Sequence, residues 1–97
     1  MNWSLGSHAE AELEEAATFY RERAGAALAQ EFVKEFERVA NLLALNPKLG
    51  TPVTERLRKH PMRRFPYSVF YRILAGRIRV VVIGHQHRRP NYWVGRH

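Results

Sequence analysis

The chain contains no cysteine, which excludes disulfide bonds, thiolate zinc sites and a cysteine nucleophile. This absence fits a reducing compartment, so we expect the protein in the cytoplasm. The sequence also lacks a long apolar run and an N-terminal basic region followed by an apolar one. We therefore expect neither a membrane span nor a secretion signal. The 97 residues are enough for one domain covering 1–97.

Acidic side chains are scarce in the second half of the chain. Residues 47–97 contain twelve basic side chains and one acid, Glu55, whereas residues 1–46 contain four basic side chains and eight glutamates. The halves therefore carry +11 and −4, which together give +7. Thirteen of the sixteen cations are arginine, which binds phosphate and carboxylate with a planar pair of donors. This one-sided surplus of positive charge indicates a surface that binds an anionic partner. The alternative is that the charge only keeps the protein soluble.

Apolar residues at helical spacing predict two helices after a short first strand, Asn2 to Leu5. The first helix begins near Ser7, and Glu10 three residues later would complete a capping box. Gly25 separates it from the second helix, which runs to Asn46 and ends there because a proline follows. The glutamates of both helices are expected on a solvated outer face.

Alternating side chains predict that the rest of the chain is a sheet. Residues 47–54 form a loop, one strand lies within 56–65, and two longer strands cover 67–74 and 77–85 with Ala75-Gly76 as their turn. An apolar helix face must cover an apolar sheet face. The expected fold is therefore α+β: an N-terminal β-strand and a helical hairpin packed on a small antiparallel β-sheet, in the order β-α-α-β-β-β.

Arginines around these strands are candidate contacts for a partner protein or a nucleic acid. The cluster between residues 56 and 64 either binds an anion or protects an edge strand against aggregation. The arginines of the next two strands would line a basic aromatic groove, unless the sheet is an ordinary half-solvated one. The end of the chain adds further cations and aromatic rings. The candidates are Arg58, Arg63, Arg64, Arg72, Arg79, Arg88, Arg89 and Tyr92, with Arg56 and Lys59 beside the first of them.

His85 and His87 lie on the same side of an extended chain, which raises the question of a metal site. Two ligands without a neighbouring carboxylate or thiolate are too few, so we expect no metal and no cofactor. The neutral-range pKa of histidine also suits His85 to the role of a general base toward a ribose 2′-hydroxyl.

Three segments of the chain resemble the RelE/ParE superfamily of type II toxin–antitoxin toxins. They are residues 57–67, which include Met62-Arg63-Arg64-Phe65-Pro66-Tyr67, the strand Val69-Phe70-Tyr71-Arg72-Ile73, and the ending from His85 to Trp93. With the two helices, the resemblance covers nearly the whole chain. The Phe-Pro-Tyr motif and the His-Arg-Arg-Pro ending are more similar to the ParE-like branch.

The resemblance to the ParE-like branch implies a non-enzymatic toxin, of the kind associated with plasmid stabilisation. It would poison DNA gyrase by a protein–protein contact. A cognate antitoxin would neutralise it, with an acidic, partly disordered segment that folds as it wraps the basic sheet. The same resemblance allows a toxin–antitoxin heterotetramer.

A RelE-like ribosome-dependent endonuclease, cutting mRNA without metal, is the alternative that the resemblance allows. In such nucleases an arginine stands where this chain has Ser68, and a second arginine aligns with Gln86, or with Arg88 after a small shift. If the chain is a nuclease, its catalytic residues are Arg88, Tyr92 and His85. A further alternative, supported by charge alone, is a non-toxic basic module whose nucleic-acid binding falls steeply with salt.

Overall fold

A helical hairpin packs on one face of a five-stranded sheet in the computed structural model, which describes residues 1–86. The elements are β1 (Asn2–Leu5), α1 (Ser7–Ala24), α2 (Ala26–Leu45), β2 (Thr51–Pro52), β3 (Arg58–Pro61), β4 (Tyr67–Leu74) and β5 (Arg77–His85). The sheet order is β1-β5-β4-β3-β2. The predicted α+β architecture is confirmed. Neither helix carries an apolar stretch that could cross a bilayer.

The sheet differs from the predicted one in two details. Strand β2 lies inside the predicted loop and pairs antiparallel with β3. Strand β1 pairs parallel with β5, from Asn2↔Arg77 to Leu5↔Val80, which makes the sheet mixed rather than antiparallel. The helical hairpin carries the chain from β1 to β2 at the opposite edge of the sheet. From there β2, β3, β4 and β5 pair antiparallel in succession, and these reversals leave β5 running in the same direction as β1.

The start of α1 also differs from the predicted capping box. The N-cap residue is Gly6, with an extended backbone and no side-chain cap. The N–H of Glu10 donates to the Gly6 carbonyl at 2.8 Å and closes the first turn. A Cβ at Gly6 would lie 3.2 Å from the Val80 carbonyl oxygen. The close approach of β5 therefore favours glycine at this position.

The core lies between the helices and the sheet. The apolar stripe of α2 is buried at Phe32, Phe36, Val39 and Leu43, and α1 packs close because its buried residues are alanines. The Phe32 ring lies 5.2 Å from that of Phe65 and 5.3 Å from that of Tyr67, centre to centre. Each large apolar side chain removed from water contributes about 1.5–3 kcal/mol, so this layer holds the hairpin on the sheet.

Strands β4 and β5 form the predicted hairpin, with Gly76 at φ 74° in the turn. Their register passes from Phe70↔Val82 to Tyr71↔Val80. Val81 is therefore an extra residue, a β-bulge that adds local twist. It lies with Val82, Phe70 and Leu57 in a small apolar cluster separate from the main core.

Two glutamates of the helices contact strand β5 and the turn between β3 and β4, so the prediction that the glutamates form a solvated outer face is wrong at these positions. Glu12 accepts a hydrogen bond from the Ile83 N–H at 3.0 Å. Glu35 accepts one from the Arg63 N–H at 2.6 Å. Both N–H groups lie where no neighbouring strand supplies an acceptor, and a backbone donor left without one is unfavourable.

Candidate partner interface

Strands β4 and β5 place two arginines side by side on the sheet face that points away from the helices. Tyr71 is buried toward the helices, so its neighbour Arg72 points the other way. Arg72 lies directly opposite Arg79, and both are half-exposed. Like charges in opposed positions are unfavourable, and neither arginine pairs with a carboxylate of residues 1–86. The pair therefore presents uncompensated positive charge.

Arg58 is held by the loop that follows α2. Its guanidinium donates hydrogen bonds to the Lys48 carbonyl at 3.1 Å and the Gly50 carbonyl at 2.8 Å. The buried Tyr71 hydroxyl fixes the same loop, since it donates to the Pro47 carbonyl at 2.7 Å and accepts from the Gly50 N–H at 2.8 Å. Burial raises the pKa of Tyr71, although the Gly50 hydrogen bond opposes that rise. Arg58 thus has a structural role as well as a positive charge.

A cleft of about 270 Å³ opens where β4 runs past the end of β3. Its lining residues are Glu55, Arg56, Arg58, Tyr71, Arg72 and Ile73. The sequence-based candidates Arg58 and Arg72 meet here, with Arg56 beside them. Ile73 carries no signal in the sequence, because its exposure depends on where β3 ends, which alternation alone does not fix. We call these residues the arginine cleft.

Arg63 and Arg64 lie at the other end of the sheet, in the turn between β3 and β4. Arg64 has a positive φ of 69°. Its guanidinium lies 3.2 Å from the Glu31 carboxylate and 5.6 Å from the centre of the Phe65 ring. The structure therefore divides these candidates into two groups: Arg58 and Arg72 at the arginine cleft, and Arg63 and Arg64 at the opposite end of the sheet. A partner that binds at one end has to be long enough to contact the other.

His85 is half-buried on the helix side of the sheet. Its ring lies 5.0 Å from that of Tyr67 in an edge-to-face arrangement. A groove of about 150 Å³ lies beside it, lined by Glu12, Glu15, Ala16, Phe19, Tyr67, Ile83 and His85. The pair Tyr67↔His85 is five positions along the hairpin from Arg72↔Arg79, which is about 17 Å of strand. His85 and those arginines thus belong to different surfaces.

The remaining candidates, Arg88, Arg89, Tyr92 and His87, lie outside the described residues. The conditional nuclease set of Arg88, Tyr92 and His85 therefore stays a prediction. Within residues 1–86, no group of three or more histidine, aspartate or glutamate side chains is placed to hold a metal ion.

Comparison with known proteins gives one family and a matching fold. The model of the family described as "ParE toxin of type II toxin-antitoxin system, parDE" matches residues 5–90. Among solved structures, the chain is similar to "Chromosomal ParDE TA system from P. aeruginosa", with a TM-score of 0.76 and 20% identity. The match covers 88% of this chain and 95% of that one; at this identity it supports the fold alone. No curated protein sequence matches the chain.

Proposed function

The chain belongs to the ParE toxin family of type II toxin–antitoxin systems, and from this premise we propose that it poisons DNA gyrase through a protein–protein contact. A cognate antitoxin neutralises it in this proposal. The site of action is the cytoplasm, where gyrase and its DNA are found.

The observation that carries the proposal is the opposed pair Arg72 and Arg79. These side chains lack a carboxylate partner within residues 1–86, and Phe70 on the same sheet face is half-buried. Arginine and aromatic side chains together are typical of the residues that dominate protein–protein interfaces. Such a face suits a protein target that supplies both acidic and apolar groups.

The charge distribution supports the antitoxin part of the proposal. Residues 47–97, which include strands β2 to β5, carry +11, while residues 1–46, which include both helices, carry −4. An acidic, partly disordered antitoxin segment would be attracted to the sheet and would fold on contact with it. Two such pairs would form the proposed heterotetramer, which light scattering on the purified complex would measure.

The test is a plasmid assay with purified chain, DNA gyrase, supercoiled plasmid and ATP. We expect linear DNA that depends on both proteins. Arg72→Gln and Arg79→Gln should each weaken the activity about tenfold, because truncating an interface hot spot raises the binding free energy by more than about 1 kcal/mol. Arg23→Gln is the matched control, since Arg23 lies on α1 against the Phe19 ring.

Folded wild-type chain that yields no linear DNA would contradict the gyrase proposal. The next assay would then be mRNA cleavage on translating ribosomes, with Arg88→Ala, Tyr92→Phe and His85→Ala as the first variants. Salt-sensitive binding of nucleic acid without either activity would favour the non-toxic module instead.

A further inference from the structure

The hydroxyl group of Ser4 is buried on the outer face of the sheet, the face that points away from the helices. Trp3 and Leu5 pack on the core, so Ser4 between them points to the outer face. Its register partner on β5 is Arg79. The Ser4 hydroxyl oxygen has no hydrogen-bond partner within residues 1–86. A buried hydroxyl without a partner is unfavourable, and a ligand at this place would supply one.

The guanidinium of Arg79 is a second polar group without a partner carboxylate. Arg79 lies between the buried Ile78 and Val80 of the core, so it shares the outer face with Ser4. Its guanidinium lies against Gly6, where a Cβ would be 3.4 Å from Nη2. Gly6 is the N-cap of α1 and provides no side-chain cap, and the helix dipole is positive at this end. Two positive groups side by side attract an anion.

Arg77 continues the positive charge along β5. It is exposed and lies two residues before Arg79, which places both side chains on one face about 7 Å apart. The eight glutamates of residues 1–46 all lie on the helices, in the layer behind the sheet, and Glu55 lies in the arginine cleft. No carboxylate of residues 1–86 forms an ion pair with either arginine. We call Ser4, Arg77 and Arg79 the outer row.

We propose that the outer row binds backbone phosphates of double-stranded DNA. Arg79 and the Ser4 hydroxyl hold one phosphate, and Arg77 holds the next. The Arg79 side chain turns from Gly6 toward the phosphate, and this movement opens the Ser4 hydroxyl to the same oxygen atoms. The inference deepens the proposed function, on which it rests, because gyrase holds DNA and would bring that DNA to the outer face of the sheet.

The chemistry of the outer row favours phosphates over the carboxylates of an acidic protein. A guanidinium and a hydroxyl that both donate need several acceptor oxygens in a small space, which a phosphate provides. Cations repeated along a strand suit a polymer with a charge on every unit. Serine and arginine are typical phosphate contacts, whereas a protein partner is usually anchored by apolar or aromatic side chains, which the outer row does not contain.

The test is fluorescence anisotropy of the full chain with a short labelled DNA duplex, without gyrase, in a salt series that starts at about 50 mM. A second duplex of unrelated sequence is measured in parallel. We expect binding that weakens steeply as the salt rises. The two duplexes should bind equally, because phosphate contacts carry no sequence information.

Arg77→Gln and Arg79→Gln should each weaken duplex binding by about tenfold and lower the salt slope by about one, as the loss of one phosphate contact predicts. Arg21→Gln is the matched control. It removes the same charge, but Arg21 is exposed on α1 in the other layer, so we expect a change of less than about twofold.

Ser4→Ala separates binding from a structural role. The substitution removes a buried hydroxyl that has no partner, so the urea midpoint should rise or stay unchanged. Duplex binding should nevertheless weaken by about threefold or more, because the phosphate loses a donor.

Equal losses in Arg21→Gln and the two outer-row arginine variants, or wild-type binding by Ser4→Ala, would each overturn the inference. A polyglutamate peptide that binds through Arg77 and Arg79 while the duplex does not would assign the outer row to an acidic protein instead. The plasmid assay on the same preparation separates the two proposals. Chain that linearises DNA with gyrase but does not bind the duplex refutes the outer row alone. Chain that binds the duplex but leaves the plasmid supercoiled refutes the gyrase contact alone.

Discussion

At the scale of single residues, Tyr71 and Gly50 fix the loop that holds Arg58 in the arginine cleft. The Tyr71 hydroxyl bridges the Pro47 carbonyl and the Gly50 N–H. A Cβ at Gly50 would lie 2.5 Å from that hydroxyl oxygen and 2.9 Å from the Lys59 carbonyl oxygen. Glycine is therefore needed for the close approach of the loop to β3. The same loop supplies the carbonyls that hold Arg58.

Gly50→Ala should lower the free energy of unfolding by about 1–3 kcal/mol, because an added carbon in a packed site displaces its neighbours. Tyr71→Phe should lower it by about 1–3 kcal/mol, since the Gly50 N–H loses its acceptor in a buried place. Urea denaturation measures both. Tyr20→Phe is the control, as no hydrogen bond to that hydroxyl is found within residues 1–86; an equal effect there would contradict the explanation.

Glu35 makes the stability depend on pH. The hydrogen bonds from Arg38, at 2.7 and 2.8 Å, are the main cause of its lowered pKa, and the Arg63 N–H contributes. A lowered folded-state pKa stabilises the fold above the usual glutamate pKa of about 4.3. This contribution is lost as the pH falls through the lower folded-state value.

Glu35→Gln should therefore be less stable than wild type by about 1–2 kcal/mol near neutral pH, with the partial exposure of Arg38 limiting the effect. The difference should shrink as the pH falls below about 4. Urea denaturation across that range measures it. The exposed Glu37 supplies the control Glu37→Gln. A difference that stays constant with pH would show that the carboxylate charge is not its source.

Sequence alone could identify the chemical character of these residues but not their contacts. Arg58 was a candidate because of its charge, yet its bonds to the loop carbonyls depend on the path of residues 47–50. Likewise, Ser7 and Glu10 fit a capping box, but the approach of Val80 to Gly6 made the glycine the cap. Long-range proximity decided each case, and local spacing contains no information about it.

At the scale of elements, the turn between β3 and β4 concentrates backbone strain. Arg64 has φ 69°, a region that costs a non-glycine residue about 1 kcal/mol or more. The Arg63 N–H next to it is fixed by Glu35. The exposed ion pair with Glu31 and the Phe65 contact offset part of that strain.

Arg64→Gly should leave the free energy of unfolding within about 0.5 kcal/mol of wild type, because relief of strain offsets the lost contacts. Arg63→Gly should be less stable by about 0.5–1 kcal/mol, since φ is not positive there and glycine adds unfolded-state entropy. Paired thermal and urea unfolding would rank the two variants. The reverse order would mean that the ion pair matters more than the turn geometry.

The two long strands were predictable because their side chains alternate over eight or nine residues. Strand β2 was not, since two residues that include Pro52 show no period. The bulge at Val81 was not predictable from alternation either, because the three consecutive valines, Val80 to Val82, are apolar on both faces of the strand. Where every side chain is apolar, alternation does not tell which face a residue takes.

At the scale of the whole molecule, the two layers carry opposite charge. Residues 1–46, with both helices, carry −4, and residues 47–86, with β2 to β5, contain nine basic side chains and one glutamate, so an acidic partner would be attracted to the sheet side. The sequence was sufficient for this result, because the chain order of helices and strands assigns each charge to a layer. It was not sufficient to show that the arginines divide between two ends of the sheet, which depends on strand register.

Raising the salt concentration from about 50 to about 500 mM should slow association with the antitoxin by at least tenfold, because the Debye length then falls below the size of the charged surface. Dissociation should change less, as contacts already formed are screened less. Stopped-flow measurements give both rates. Association that is insensitive to salt would show that electrostatic steering does not guide this partner.

The pairing of Asn2 with Arg77 has a consequence for biosynthesis. Among the described strands β1 has β5 as its sole neighbour, so the first strand of the chain stays unpaired until the last described strand has been made. During translation the helical hairpin emerges long before the strands that cover it. The nascent chain therefore carries β1 as an unpaired strand edge until β5 has left the ribosome, which exposes it to wrong pairing during synthesis.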